Sequence, residues 1–261
     1  MGTDRAPNLS RSAPISPCIL MFLKRNMPVR VFEQFLQTPY RRLRGAMERQ
    51  HDRRLGITTV EAQVARRTGC DESVSIPFYR AMFYSAIPRV MAHLDPQSSD
   101  ALLDVGCGAG RVVCVAAQYN FARIIGIEID PAVGELAQEN VRALRKFRIR
   151  PEIVLGDATA YRIPDEITWV FLHNPFGMVL RETLTRILES YDRNPRRLRI
   201  AYGNPREHDL VLSMPRFVPT GRMHYSWRPK KDWQRTQAVQ FYEVQPAMPH
   251  VAATTRMPAF S

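Results

Sequence analysis

Leu102-Leu103-Asp104-Val105-Gly106-Cys107-Gly108-Ala109-Gly110-Arg111 is the stretch that decides the fold. Leu102 to Val105 is a short apolar run stopped by glycine, the pattern of a buried strand. Glycines at 106, 108 and 110 let the backbone turn tightly and approach a ligand closely. Arg111 to Gln118 then reads as a helix. A glycine turn alone is a weak signal. Dinucleotide enzymes place the third glycine three positions after the second, whereas here it follows after two. Asp104 also stands before the turn, where its charge repels a pyrophosphate and suits a cationic ligand.

Outward from this turn the chain alternates. Arg123 to Glu128 reads as a second strand, and Pro131 to Phe147 as a helix capped by Asp130. Glu152 to Leu155 and Thr168 to Leu172 follow as strands, Val179 to Tyr191 as a helix, and Leu198 to Tyr202 as a fifth strand. Phe217 to Trp227 and Ala238 to Val244 alternate like a closing hairpin. This rhythm predicts an α/β fold, a mostly parallel sheet with helices on both faces, whose ligands bind beyond the carboxyl ends of the strands. Upstream, residues 1–28 carry Pro7, Pro14, Pro17 and Pro28 and read as a disordered tail. Residues 29–77 read as a basic helical extension with Arg41, Arg42, Arg44, Arg49, Arg53 and Arg54. Residues 78–248 form the main domain, and 249–261 a second loose tail. Within the main domain, Phe78 to Leu94 is amphipathic, and Pro88 is expected to kink or split that helical region.

The strand ends carry the chemistry. Glu128, 22 positions after Gly106, can hold both hydroxyls of a ribose. Asp157, in Gly156-Asp157-Ala158, can accept from the exocyclic amine of adenine. The fourth strand ends in His173-Asn174-Pro175-Phe176-Gly177. In this order and at these spacings, the four ends resemble the class I S-adenosylmethionine-dependent methyltransferases over about residues 78–245. The resemblance implies a Rossmann-like seven-stranded sheet with a C-terminal antiparallel hairpin, and S-adenosylmethionine as the cofactor. It also implies roles. Asp104, Gly106, Gly108 and Gly110 hold the methionine part, Glu128 the ribose and Asp157 the adenine. Asn174, Pro175 and Phe176 face the reaction, with the Asn oxygen and the Pro carbonyl accepting N–H groups of a target amine.

The chain is similar to uncharacterised bacterial members with Asn-Pro-Phe after the fourth strand, whose layout is that of small protein-lysine methyltransferases. Nitrogen methyltransferases often carry a second Pro and then an aromatic residue; here one Pro is followed by Phe176-Gly177. That departure speaks against adenine and for a protein lysine or small amine, the acceptor itself being unidentified. The alternatives are a nucleic-acid methyltransferase and a small-molecule oxygen methyltransferase using His173 as a base. Outside the class stand a cofactor-binding module without transfer and an aminopropyl transferase. Tyr202, Asn204 and Pro205 lie near the site and read more readily as loop geometry than as a pocket.

Composition narrows the partners. The longest early apolar stretch, Ile19 to Leu23, is far short of a membrane span. The net charge is +12, and 33 of the 37 basic residues are Arg, but they are scattered, so nucleic acid is the less favoured partner. Cys18, Cys70, Cys107 and Cys114 contain no C-x-x-C pair, so no metal site is expected and a reducing, cytoplasmic compartment fits.

Overall fold

A computed structural model describes residues 29–68, 80–175, 177–225 and 238–247. The two expected tails, Phe176 and the Trp227 end of the expected sixth strand lie outside the described residues. The chain divides into two compact units, residues 1–47 and 48–261.

The second unit is built on seven strands: β1 Ala101–Val105, β2 Arg123–Glu128, β3 Glu152–Leu155, β4 Trp169–His173, β5 Arg199–Gly203, β6 Phe217–His224 and β7 Ala238–Val244. They form one sheet in the order β3-β2-β1-β4-β5-β7-β6. Strands β1 to β5 pair in parallel, and β7 runs antiparallel between β5 and β6. The sheet is therefore the Rossmann-like, mostly parallel one with a C-terminal hairpin. Strand β6 carries an irregularity between Pro219 and Gly221.

Helices α1 Val29–Leu55, α2 Glu61–Thr68, α3 Ile87–Leu94, α4 Arg111–Ala116, α5 Pro131–Ala143, α6 Gly177–Arg193 and α7 His208–Leu212 complete the described elements. Strand residues alternate between the two faces, as a period of two requires. Leu102, Ile124, Phe171 and Phe241 pack with Met91 of α3, Val113 of α4 and Val141 of α5. Leu103, Ile125, Val170 and Ile200 pack with Leu180, Leu184 and Ile187 of α6. Both faces are thus sealed by apolar helix stripes, at about 1.5–3 kcal/mol for each large side chain fully buried.

Several helix boundaries differ from the sequence expectation, and three of them have a visible cause. The helix expected to continue beyond residue 55 stops at Gly56, whose φ of 79° is the left-handed conformation of a helix end. The Gly56 and Ile57 amides both donate to the Asp52 carbonyl, at 2.8 and 3.0 Å. Pro88 does not kink a helix; it sits in the first turn of α3, where a missing N–H costs nothing. Helix α5 ends at Ala143 rather than Phe147, because the Arg145 amide turns to the Leu55 carbonyl (3.1 Å) and the Arg148 amide to the Ala117 carbonyl (2.6 Å). Among the described residues no helix is long and apolar enough to cross a membrane.

Gly126, at the centre of β2, shows how tightly the first turn packs. A Cβ there would meet Cys107 Sγ at 2.8 Å and Cys107 Cβ at 2.9 Å. Gly126→Ala is therefore expected to destabilise the protein by ~1–3 kcal/mol through overpacking, measured by denaturant titration. A variant as stable as the native chain would refute that packing.

Candidate active site

The carboxyl ends of β1, β2 and β3 converge around the glycine turn. Gly106, Gly108 and Gly110 all have positive φ, at 71°, 56° and 81°, so side chains at these points would strain the turn. The amides of Gly106 and Cys107 both donate to the Ile127 carbonyl at 2.9 Å, fastening the turn to the end of β2. A Cβ added to Gly106 would meet nothing within 4 Å, so the turn is open on its outer side.

Asp104 ends β1 beneath this opening. It is 2% exposed, and its Oδ2 has no hydrogen-bond partner among the described residues. Burial, and then the charge of Glu128, push its pKa up to about 8. A buried carboxyl without a donor is costly unless a donor or a cation comes to it.

Glu128 ends β2 with one oxygen accepting from the Gly108 amide (2.8 Å) and the other from the Asp130 amide (3.0 Å). Its carboxylate thus bridges the glycine turn and the start of α5. Asp130 caps that helix, its side chain accepting from the Val133 amide at 3.0 Å. Asp157 follows β3 and is exposed. Its side chain accepts from the Thr159 amide at 2.8 Å, which holds its pKa below the ordinary carboxylate range. The Gly156 amide donates to the Glu128 carbonyl at 2.9 Å, tying this tip to the previous one.

Asn174, just past β4, has a φ of 56°, a conformation Asn tolerates better than most residues. Its amide donates to the Gly203 carbonyl at 3.2 Å. Its side-chain Oδ1 is buried and unpartnered among the described residues. The Pro175 carbonyl already accepts from the Tyr202 hydroxyl at 3.2 Å, leaving one lone pair. Phe176 lies outside the described residues. His173 stacks on Phe171 with ring centroids 6.4 Å apart. Burial, and then Arg111, bring its pKa down to about 4, so it is neutral at neutral pH.

Two supports stand behind these tips; the sequence reading set Tyr202 near the site and missed the rest. Tyr202, fully buried, and Glu207 pin the loop after β4: the Gly177 amide donates to Glu207 Oε1 at 2.7 Å. Larger is a buried polar network behind the glycine turn. Arg111, 5% exposed, donates from Nε to Thr59 Oγ1 (2.8 Å), from one terminal nitrogen to the Met82 carbonyl (2.9 Å) and from the other to the Thr59 carbonyl (3.1 Å). It also pairs with Glu48, and its guanidinium lies 4.4 Å from the Tyr84 ring centroid. Asp52, one helical turn beyond Glu48, accepts from the Thr59 amide and hydroxyl, both at 2.6 Å, and from the Tyr84 hydroxyl. Asn140 of α5 donates to both the Ala109 carbonyl (2.8 Å) and the Thr58 carbonyl (2.9 Å). Residues 48–60, assigned by sequence to a separate extension, thus back the glycine turn directly.

Comparison with known proteins bears on this arrangement. Residues 102–195 match a family described as a methyltransferase domain. A protein of Chlamydia pneumoniae named an uncharacterized RNA methyltransferase is 38% identical over 68 residues, which is 26% of this chain and 16% of that one. The match therefore spans less than a fifth of the curated relative's length. Among solved structures, an RNA methyltransferase from Salinibacter ruber in complex with S-adenosyl-L-homocysteine is 21% identical with a TM-score of 0.42, covering 66% of this chain and 97% of that one. The magnesium protoporphyrin IX methyltransferase of Synechocystis PCC 6803 with bound SAM is 17% identical with a TM-score of 0.47, covering 69% and 93%.

Proposed function

We propose that this chain, whose residues 102–195 match a methyltransferase domain, is a class I S-adenosylmethionine-dependent enzyme that transfers the donor's methyl group to a nitrogen atom. The observation that carries the reading is the pair of buried, unpartnered oxygens at neighbouring strand tips, Asp104 Oδ2 and Asn174 Oδ1. Each awaits a donor, and a methyl donor with a cationic amine and an acceptor with N–H groups satisfy one apiece.

The residues present fit the cofactor. Asp104 lies buried beneath an open glycine turn, ready to take the ammonium of the methionine part. Gly106, Gly108 and Gly110 leave room for the ligand's backbone-like portion. Glu128 has lone pairs beyond its two backbone bonds for the ribose hydroxyls. Asp157, exposed at the next tip, faces the adenine end. When bound, S-adenosylmethionine supplies an electrophilic methyl group on a sulfonium, which leaves without needing a proton.

Catalysis then rests on placing the acceptor. Asn174 Oδ1, and the remaining lone pair of the Pro175 carbonyl, accept N–H bonds and turn the nitrogen lone pair toward the methyl group. Phe176 is the aromatic residue that follows them in the sequence. Burial, and then Arg111, bring the His173 pKa down to about 4, which makes it a weaker proton acceptor than an ordinary imidazole. A lysine side chain or small amine is the acceptor that the Asn-Pro-Phe sequence favours. A nucleic-acid nitrogen is the second reading, supported by the name of the chlamydial relative and the +12 charge.

The test is incubation of the full chain with methyl-labelled donor and fractionated extract, alongside Asn174→Ala. The variant should keep native donor affinity by calorimetry and lose transfer about 100-fold. Label in an oxygen ester or ether, or a variant that transfers at the native rate, would overturn the nitrogen assignment.

A further inference from the structure

A second concave site lies away from the strand tips. It is a cleft of about 540 Å³ between the end of α1, residues 84–88 and the end of α4. Its polar lining is His51, Arg54, Gln118, Tyr119 and Lys146, with Tyr84 at its back. The glycine turn precedes α4, and the cleft takes Val115 from its last turn and Gln118 and Tyr119 from the residues just after it.

The walls are fixed by backbone bonds. The Arg145 amide holds the Leu55 carbonyl at 3.1 Å, and the Arg148 and Ile149 amides hold the Ala117 carbonyl at 2.6 and 3.4 Å. The loop carrying Lys146 is thus clamped to α1 on one side and to α4 on the other. No hydrogen bond or ion pair among the described residues engages the side chains of Arg54, Lys146, Gln118 or Tyr119. Two cations line the cleft, Arg54 and Lys146, and no acidic side chain does; Lys146 belongs to a run, Arg142 to Arg150, of nine residues with five basic side chains and no acid. The partly exposed Tyr119 adds a ring to the lining, while the Tyr84 ring is buried with His51 and Arg111 against it. His51 stacks on Tyr84 with centroids 4.8 Å apart, and Phe147 is 40% exposed beneath the Arg150 guanidinium.

Two unpaired cations in a fixed cleft, beside the partly exposed ring of Tyr119, offer what a single nucleic-acid strand uses: charge for the phosphodiester and a platform for an unstacked base. An acidic peptide would use the charge and leave the rings unused. From this geometry we infer that the cleft binds a single-stranded nucleic-acid segment, independently of the methyl donor and of which nitrogen is methylated.

The experiment measures fluorescence anisotropy of labelled 12-nucleotide single strands, RNA and DNA, with the full chain at 50 to 200 mM salt. Arg54→Gln with Lys146→Gln should weaken binding at least tenfold. It should also make the log–log salt slope shallower by about 1.4, two phosphate contacts at ~0.7 each. Tyr119→Ala should cost a further factor of about ten. Both variants should bind S-adenosylmethionine with native affinity by calorimetry, which reports that they are folded and that the donor site is separate. Four results would overturn the inference. One is the absence of strand binding at 50 mM salt. Another is native strand affinity in the doubly substituted protein. The third is displacement by poly-glutamate at the concentration at which RNA displaces, which marks a protein partner. The last is displacement by equimolar inorganic phosphate, which marks a lone anion site.

Discussion

Asp104→Asn should weaken S-adenosylmethionine binding at least about 30-fold, the equivalent of ~2 kcal/mol for removing one charge of a buried hydrogen-bonded pair. The substitution keeps the shape and removes only the charge, so the fold should persist. The pH dependence gives a sharper readout. In the free protein the Asp104 carboxyl is pushed up to about 8, far above the roughly 3.9 of an unfolded chain. Between those values the folded state holds a proton that the unfolded state has released. Stability contributed at this site therefore falls as pH rises from about 4 to about 8, and Asp104→Asn should flatten that slope. A cationic donor favours the carboxylate, so native affinity should climb toward pH 8 with release of a proton, and the variant should show neither effect. Calorimetry from pH 6 to 9, in buffers of different ionisation enthalpy, measures both. Equal affinity in the two proteins, or native binding indifferent to pH, would remove Asp104 from the donor site.

The second large effect is on stability. Arg111→Met should cost about 3–5 kcal/mol, because it strands the Glu48 carboxylate, whose side chain is only 14% exposed, without its cation. The melting temperature should drop by roughly 2–4 °C for each kcal/mol. Glu48→Gln on the same background should recover part of the loss, since the partner left behind is then neutral. A double-mutant cycle in thermal denaturation tests this, and additive losses with no coupling would show that the pair is not a unit. Because Arg111 directly follows Gly110, the single variant should also loosen the glycine turn and weaken donor binding, whereas the doubly neutral protein should bind better than the single one.

The sequence displays whatever local chemistry enforces. Strand β2 from Arg123 to Glu128, strand β3 from Glu152 to Leu155 and strand β7 from Ala238 to Val244 occupy the residues expected of them. Runs of β-branched and aromatic residues bounded by turn formers leave little choice there. The Asp130 cap with Pro131 after it is likewise a local device. What stays hidden depends on partners far along the chain. Helix α5 stops early because Arg145 finds a carbonyl 90 residues upstream, and no periodicity announces that. Arg111 meets Thr59 across 52 positions and Glu48 across 63, so its network has no motif. Gly56 is different, since a glycine after Arg53-Arg54-Leu55 is a legible helix stop that the longer basic run obscured. For the site, the acids Asp104, Glu128 and Asp157 could be read from their places at strand ends. Their burial could not: that Asp104 is enclosed while Asp157 stands in water follows from how neighbouring strands and helices cover the tips.

Among the described residues β3 and β6 are the edge strands of the sheet, and an edge strand is a template onto which another chain could add. The break in register at Pro219 and Gly221 deals with one of them. Proline contributes no N–H, and the irregularity twists the ribbon, so an incoming strand meets an interrupted row of donors. The opposite margin is only four residues long and begins at Glu152, already bound to Arg123 at 2.7 Å. Both edges thus carry features that disfavour the addition of another strand along the hydrogen-bonding direction.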